Sequence, residues 1–311
     1  MNPGRRTALF LLSSLALFAF QWHELRDLLR YAADTEHTNA SQIMLIPFIS
    51  GFLIFRDRQR IFARIQWGVL PGVLIALLGL GLGAAGRSWQ FADRGDQLVL
   101  TTSSILVAWL GLFVAFFGVR AFRIALFPLL FLVFCIPVPS AILKPLISVL
   151  QRGSAEITLM LLKLTGTPVY REAFVFQIPT YVPRPDGTNL LPFEVAPECS
   201  GIRSFLSMVI LTVLAGHLLL TTTWRRLALV LVAIPIMIFK NAVRIVTLTL
   251  LSVHVNPGII ESRLHQEGGI PFFLLALLLT YPILKILMRT EKTEAKPKDA
   301  GGQSMLREAN L

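Results

Sequence analysis

Eight apolar stretches, most of them close to the length of a bilayer-crossing helix, run through this chain of 311 residues. A bilayer core takes about 20 apolar residues as helix. The stretches are 8–22 (ALFLLSSLALFAFQW), 41–55, which is short, 66–86, 98–118, 124–143, 202–220, about 226–253, and 271–288. Only 15% of residues are charged, 54% are hydrophobic, and the mean hydropathy is +0.67. A soluble domain carries about 25% charged residues. The expected class is an all-α polytopic membrane protein. It has about eight transmembrane helices, an amphipathic helix and a short extracytoplasmic strand or loop segment. Stretch 8–22 has signal-peptide character, but no small-x-small cleavage site follows before HELRDLLR, so it reads as a retained span. Residues 1–290 read as one transmembrane domain. Residues 291–311, rich in Lys, Glu and Pro, read as a disordered cytoplasmic tail.

One long polar segment, about 144–198, separates the fifth and sixth stretches. Within it, 145–166 has helical apolar spacing interrupted by Gln151, Arg152, Glu156 and Lys163. This suits an interfacial amphipathic helix or one packed on the bundle. The remainder alternates and carries prolines and a PDG turn, the signature of short strands or a hairpin. Basic residues mark the cytoplasmic side. Arg56, Arg58, Arg60 and Arg64 in RDRQRIFAR are the strongest such signal, and the C-terminal lysines agree with them. Both termini are therefore expected in the cytoplasm, and segment 144–198 outside. The net charge of +11 then follows largely from topology, not from nucleic-acid binding.

Two cysteines are too few for a disulfide framework, and no His/Cys cluster has metal-ligand spacing. No metal or organic cofactor is expected. Cys135 lies mid-span among apolar residues, as a small buried hydrophobe does. Cys199, in VAPECSGIRSF (195–205), stands at the outer mouth where the sixth helix begins. A helix N-terminus favours a thiolate, and Arg203 one turn on adds to that if it faces the same way. The alternative there too is a small buried hydrophobe.

The seventh stretch carries Lys240 and Arg244 inside apolar surroundings, with Asn241 on the face of Arg244. A charge at that depth costs several kcal/mol unless it meets a cavity or a partner. It is read either as a functional group or as a polar contact between helices. His265, followed by Glu267, precedes the eighth stretch, and His254 ends the seventh. Either is otherwise a solvated loop histidine. His217 falls near the inner end of the sixth stretch, and His23 and His37 lie far off in sequence. A thiol, a guanidinium and an imidazole from three segments thus reach one face of the membrane. Such a set suits nucleophilic acyl transfer, with the imidazole making the thiolate and the arginine stabilising the oxyanion.

ECSGIRSF, then NAVRIVTL, then LHQEGGIPFF resemble the exosortase/archaeosortase family, as do FPLLFLVFCIPVP and LLKLTGTPVYREAFVFQIP. The resemblance spans roughly residues 40–290. It implies a polytopic membrane cysteine protease or transpeptidase with Cys199, Arg244 and His265 as catalytic residues, supported by Ser200, Arg203 and Asn241. Its partners would be the lipid bilayer, an acceptor nucleophile and exported proteins bearing a C-terminal sorting signal. That signal is a short motif such as Pro-Glu-Pro, a hydrophobic helix and a basic tail. Histidine at the third position implies a bacterial exosortase of the inner membrane with an extracytoplasmic active site. Two other classes compete with this reading: a transporter binding an anion through Lys240 and Arg244, and a non-catalytic scaffold for envelope assembly. Reporter fusions after Arg60 and after Gly187 are expected on opposite sides of the membrane. The same side for both would separate the three candidate residues and overturn the topology.

Overall fold

A computed structural model describes residues 3–34, 40–63, 65–89, 91, 93–179, 190–196, 200–255 and 269–295. The chain divides into two compact units, Met1–Lys144 and Pro145–Leu311.

In the first unit α1 (Pro3–Phe20) is followed by α2 (Trp22–Ala33), α3 (Ile46–Arg56) and the single turn α4 (Arg58–Ile61). Next come α5 (Val69–Ser88), α6 (Arg94–Ile124) and α7 (Leu126–Phe131). The antiparallel pair α5–α6 is built on small residues. Gly72, Ala76, Gly79, Gly83 and Gly86 recur at alternating spacings of four and three, which is one helix face. Gly72 meets Ala115, Gly79 meets Ala108, Gly83 meets Ser104 and Gly86 meets Leu100. A Cβ at Gly72, Gly79 or Gly111 would fall on backbone atoms of the opposing helix. Without a solvent-driven force between helices in lipid, such close backbone approach supplies the packing energy. Gly118, at φ +84°, kinks α6 near its end, where its backbone passes Gln66. On another face of α6, Phe10 of α1 packs edge-on to Phe113 and Phe117, with ring centroids 6.0 and 5.0 Å away. The Ser50 hydroxyl on α3 donates to the Pro128 carbonyl on α7 at 2.7 Å.

α8 (Ser140–Leu164) begins in the first unit and continues into the second. Asp96 on α6 anchors its start by accepting from the Ser140 backbone N–H at 2.7 Å and from the Ser140 hydroxyl. The second unit then holds β1 (Tyr170–Glu172), β2 (Val175–Pro179) and β3 (Leu190–Glu194), an antiparallel meander in the order β1-β2-β3. It ends with α9 (Ile202–Leu219), α10 (Thr223–His254) and α11 (Gly269–Ala295). Its core joins Ala155 and Leu162 of α8, Phe176 and Ile178 of β2, Val195, and Val246 and Val253 of α10. Phe176 and Phe193 stack at 5.0 Å across the β2–β3 pair. At the far end of α10, Glu291 of α11 accepts from the backbone N–H of Thr221 and Thr222 and pairs with the buried Arg225 at 3.4 Å. That carboxylate fastens the α9–α10 turn to α11.

The expected count of about eight spans is met in part. Among the described residues, five helices are long and apolar enough to cross a membrane: α5, α6, α9, α10 and Gly269–Glu291 of α11. The count rises to seven if each of two bent pairs is one span. The first predicted stretch ends where α1 turns by 76° into α2. Past Gln21 the chain becomes amphipathic, and α2 buries Leu28 and Ala32 while Arg26 and Arg30 stay exposed. The second predicted stretch yields the 11-residue α3, about 16 Å long at about 1.5 Å per residue. The fifth predicted stretch breaks into α7, a 3-10 turn (Leu132–Cys135) and an extended run before α8, with a bend of 81°. Pro137 and Pro139 cannot continue a helix and hold the residues before them extended. Of segment 145–166, residues 145–164 belong to α8 and bury Leu150, Gln151, Ser154, Ala155, Thr158 and Leu162, so it packs within its unit. The strand expectation is met by the meander. Of the predicted tail, residues 291–295 extend α11, and 296–311 lie outside the described residues.

The glycine seam predicts a position-specific effect. Gly79→Leu drives a side chain into the Ala108 backbone and is expected to cost about 1–3 kcal/mol of overpacking, lowering the unfolding temperature in detergent. Gly81→Leu, two residues on and so on the opposite helix face, with open space around it, is expected to be neutral or stabilising, because glycine weakens a helix. Equal unfolding temperatures for the two variants would refute the seam.

Candidate functional site

The sequence-predicted residues on described segments all lie in the second unit, around the start of α9. Val195 fixes the approach to it. Its N–H donates to Phe174 O at 3.0 Å, and its carbonyl accepts from the buried Gln151 Nε2 at 2.6 Å. Cys199 lies outside the described residues, together with Pro197 and Glu198. Ser200 follows and is only 2% exposed. Gly201 then turns the chain into α9 with φ +75°. This left-handed conformation is one that residues with a Cβ adopt at a cost of about 1–2 kcal/mol. A Cβ on Gly201 would also stand 3.0 Å from Asn241 Oδ1. Glycine is needed here on both counts.

Two consecutive residues of α10, Lys240 and Asn241, are each 1% exposed and tie the helices together. Asn241 Nδ2 donates to Ser154 Oγ on α8 at 3.0 Å, which leaves Oδ1 toward Gly201. Lys240 Nζ donates to Ser204 Oγ on α9 at 2.9 Å. Ser204 Oγ in turn donates to Gly201 O at 3.0 Å, and that carbonyl also accepts from the Phe205 N–H at 2.9 Å. Lys240 thus makes a polar contact between α10 and α9. Arg244, one turn beyond Asn241, is half-buried, and Arg203 in the first turn of α9 is exposed. Residues 241 and 244 share a helix face. Gly201 therefore packs on α10 at Asn241, one turn before Arg244. His254 is exposed at the end of α10, and His217 is half-buried in α9. His265, with Glu267 and the rest of 256–268, lies outside the described residues, as does His37. Cys135 belongs to the first unit, where it packs against the cluster of Leu28, Ala32, Ala40 and Ile43.

Sequence reasoning met Gln151 only as a break in an apolar pattern and did not single out Ser154 or Ser204. Their signal is faint: Gln151 and Ser154 sit on the face of α8 that also presents Ala155, Thr158 and Leu162. A polar residue on an apolar stripe calls for a partner, but nothing local names Val195 or Asn241 as that partner.

A sequence model of the transmembrane exosortase family matches residues 34–282. The matched range takes in α3 to α10 and all three strands, and so contains each candidate catalytic position. No curated protein and no solved structure matches the chain. With most of its length matched and its apolar helices in place, this multi-pass membrane protein belongs to the transmembrane exosortase family.

Proposed function

We propose that the protein is a bacterial inner-membrane cysteine protease or transpeptidase that cleaves C-terminal sorting signals of exported proteins. Cys199 is the nucleophile, Arg244 stabilises the oxyanion, and His265 is the base and then the acid. The observation that carries the reading is the packing of Gly201 on Asn241. It supports a common site for the residues just before α9 and the Arg244 face of α10. The uncapped N–H groups at the start of α9 add positive potential beside residue 199, which favours a thiolate.

In the proposed reaction the apolar helix of the substrate's signal lies in the bilayer against this protein. Its cleavage motif lies at the outer mouth, and its basic tail stays on the cytoplasmic side. His265 takes the thiol proton, and the Cys199 thiolate attacks the scissile carbonyl. The tetrahedral oxyanion collapses to a thioester as His265 gives its proton to the leaving amine. Water or an acceptor amine then releases the acyl group from sulfur. Both termini face the cytoplasm, and residues 1–290 act as one catalytic domain.

The test follows the size of a tagged substrate with an intact C-terminal signal in cells, with expression of every variant checked. Wild type is expected to shorten the substrate. Cys199→Ser and His265→Ala are expected to leave it full length, whereas Cys135→Ser and His254→Ala process normally. Arg244→Lys keeps the charge but loses the planar donor fork, so its rate is expected to fall by about 10²–10³. Normal shortening by Cys199→Ser would overturn the protease reading. Normal processing by Arg244→Lys would remove directed hydrogen bonding from the mechanism.

A further inference from the structure

Lys240 is buried at a cost that its visible contacts do not repay. Its side chain is 1% exposed, and its hydrogen-bond acceptor among the described residues is one neutral hydroxyl, Ser204 Oγ. A buried charge is generally no better for stability than an apolar side chain of like volume. Its effect on Ser204 is directional. An ammonium has donors only, so Ser204 Oγ must accept from Lys240 and send its own proton elsewhere. It sends that proton to Gly201 O, which already holds the Phe205 N–H. The Gly201 carbonyl is thus held by two donors. In a trans peptide the N–H points opposite the carbonyl, so the Ile202 N–H is held outward, along with the first-turn donors of α9. On the other side of the turn, Asn241 Oδ1 lies 3.0 Å from where a Gly201 Cβ would stand, with its amide held by Ser154.

We infer that Lys240 is a positioning residue for the proposed reaction, acting through Ser204 to set the Gly201 peptide and the first-turn donors of α9. Asn241 and Ser154 brace the opposite side of the same turn. The inference rests on the reading of Cys199 as nucleophile. It assigns Lys240 to orientation and not to binding an anion.

The test uses the purified full chain in detergent, in a Cys135→Ala background so that Cys199 is the remaining thiol. Three quantities are read per folded molecule: the unfolding temperature, the rate of Cys199 alkylation by iodoacetamide against pH, and substrate processing in cells. Lys240→Met is expected to unfold at the parental temperature or above. Its alkylation profile is expected to move to higher pH, because Cys199 reacts as thiolate and loses aligned donors. Processing is expected to fall by about tenfold to a hundredfold, the usual effect of a small misplacement. Ser204→Ala is expected to do the same, and Ser204→Thr, which restores the hydroxyl, to return the parental profile. A purely structural role predicts the reverse pattern, with lower unfolding temperatures and unchanged reactivity. Parental alkylation and processing in Lys240→Met and Ser204→Ala would overturn the inference, and the Ser204 pair decides alone if Lys240→Met does not fold. Normal processing by Cys199→Ser would remove the protease reading, whereas the alkylation profiles would still decide whether Lys240 sets the turn.

Discussion

The second unit depends on a short run of polar contacts buried among apolar helices. Lys240 reaches Ser204, Ser204 reaches the Gly201 carbonyl, and Asn241 reaches Ser154. In this setting a polar group has few partners to exchange for, so a contact once made fixes the helices that carry it. Here α8, α9 and α10 are fixed at one place, which is also where the chain arrives from the sheet. The turn before α9 cannot shift without disturbing a buried amide and a buried amine.

The sheet completes this arrangement from the other side. Phe176 and Phe193 stack, Phe176 and Ile178 enter the core, and Val195 is held by both its N–H and its carbonyl. The short segment 196–199 therefore leaves one anchored residue and enters another, Ser200, which is buried. The first unit uses a different principle. Its central α5–α6 pair relies on glycines that let two backbones touch, and on aromatic rings around Phe10.

The candidate residues were legible from residue types and spacing. A cysteine at the border of a polar segment, an arginine within an apolar helix and a histidine before the next helix are chemically conspicuous wherever they occur. Asn241 was legible as a companion of Arg244 because helical spacing alone puts them on one face. Ser154 and Ser204 were not. Serines are common in apolar helices, where they bond their own backbone, as Ser103 and Ser252 do here. Only a crossing helix tells a bridging serine from one of these. The role of Lys240 was equally hidden, since its partner lies 36 residues away in sequence.

The sequence by itself determined the membrane class, the long helices α5, α6, α9, α10 and α11, the meander, and the family. These depend on local quantities: apolar run length, alternation, and motif order. The tertiary structure alone decided where apolar stretches break, because a bend costs little where proline or a change in amphipathicity already weakens the helix. It also decided which face of α8 is buried, and that Lys240 serves a neighbouring helix. Each of those outcomes depends on which distant group comes within about 3 Å of a buried donor or acceptor, a distance set by packing and not by the order of residues.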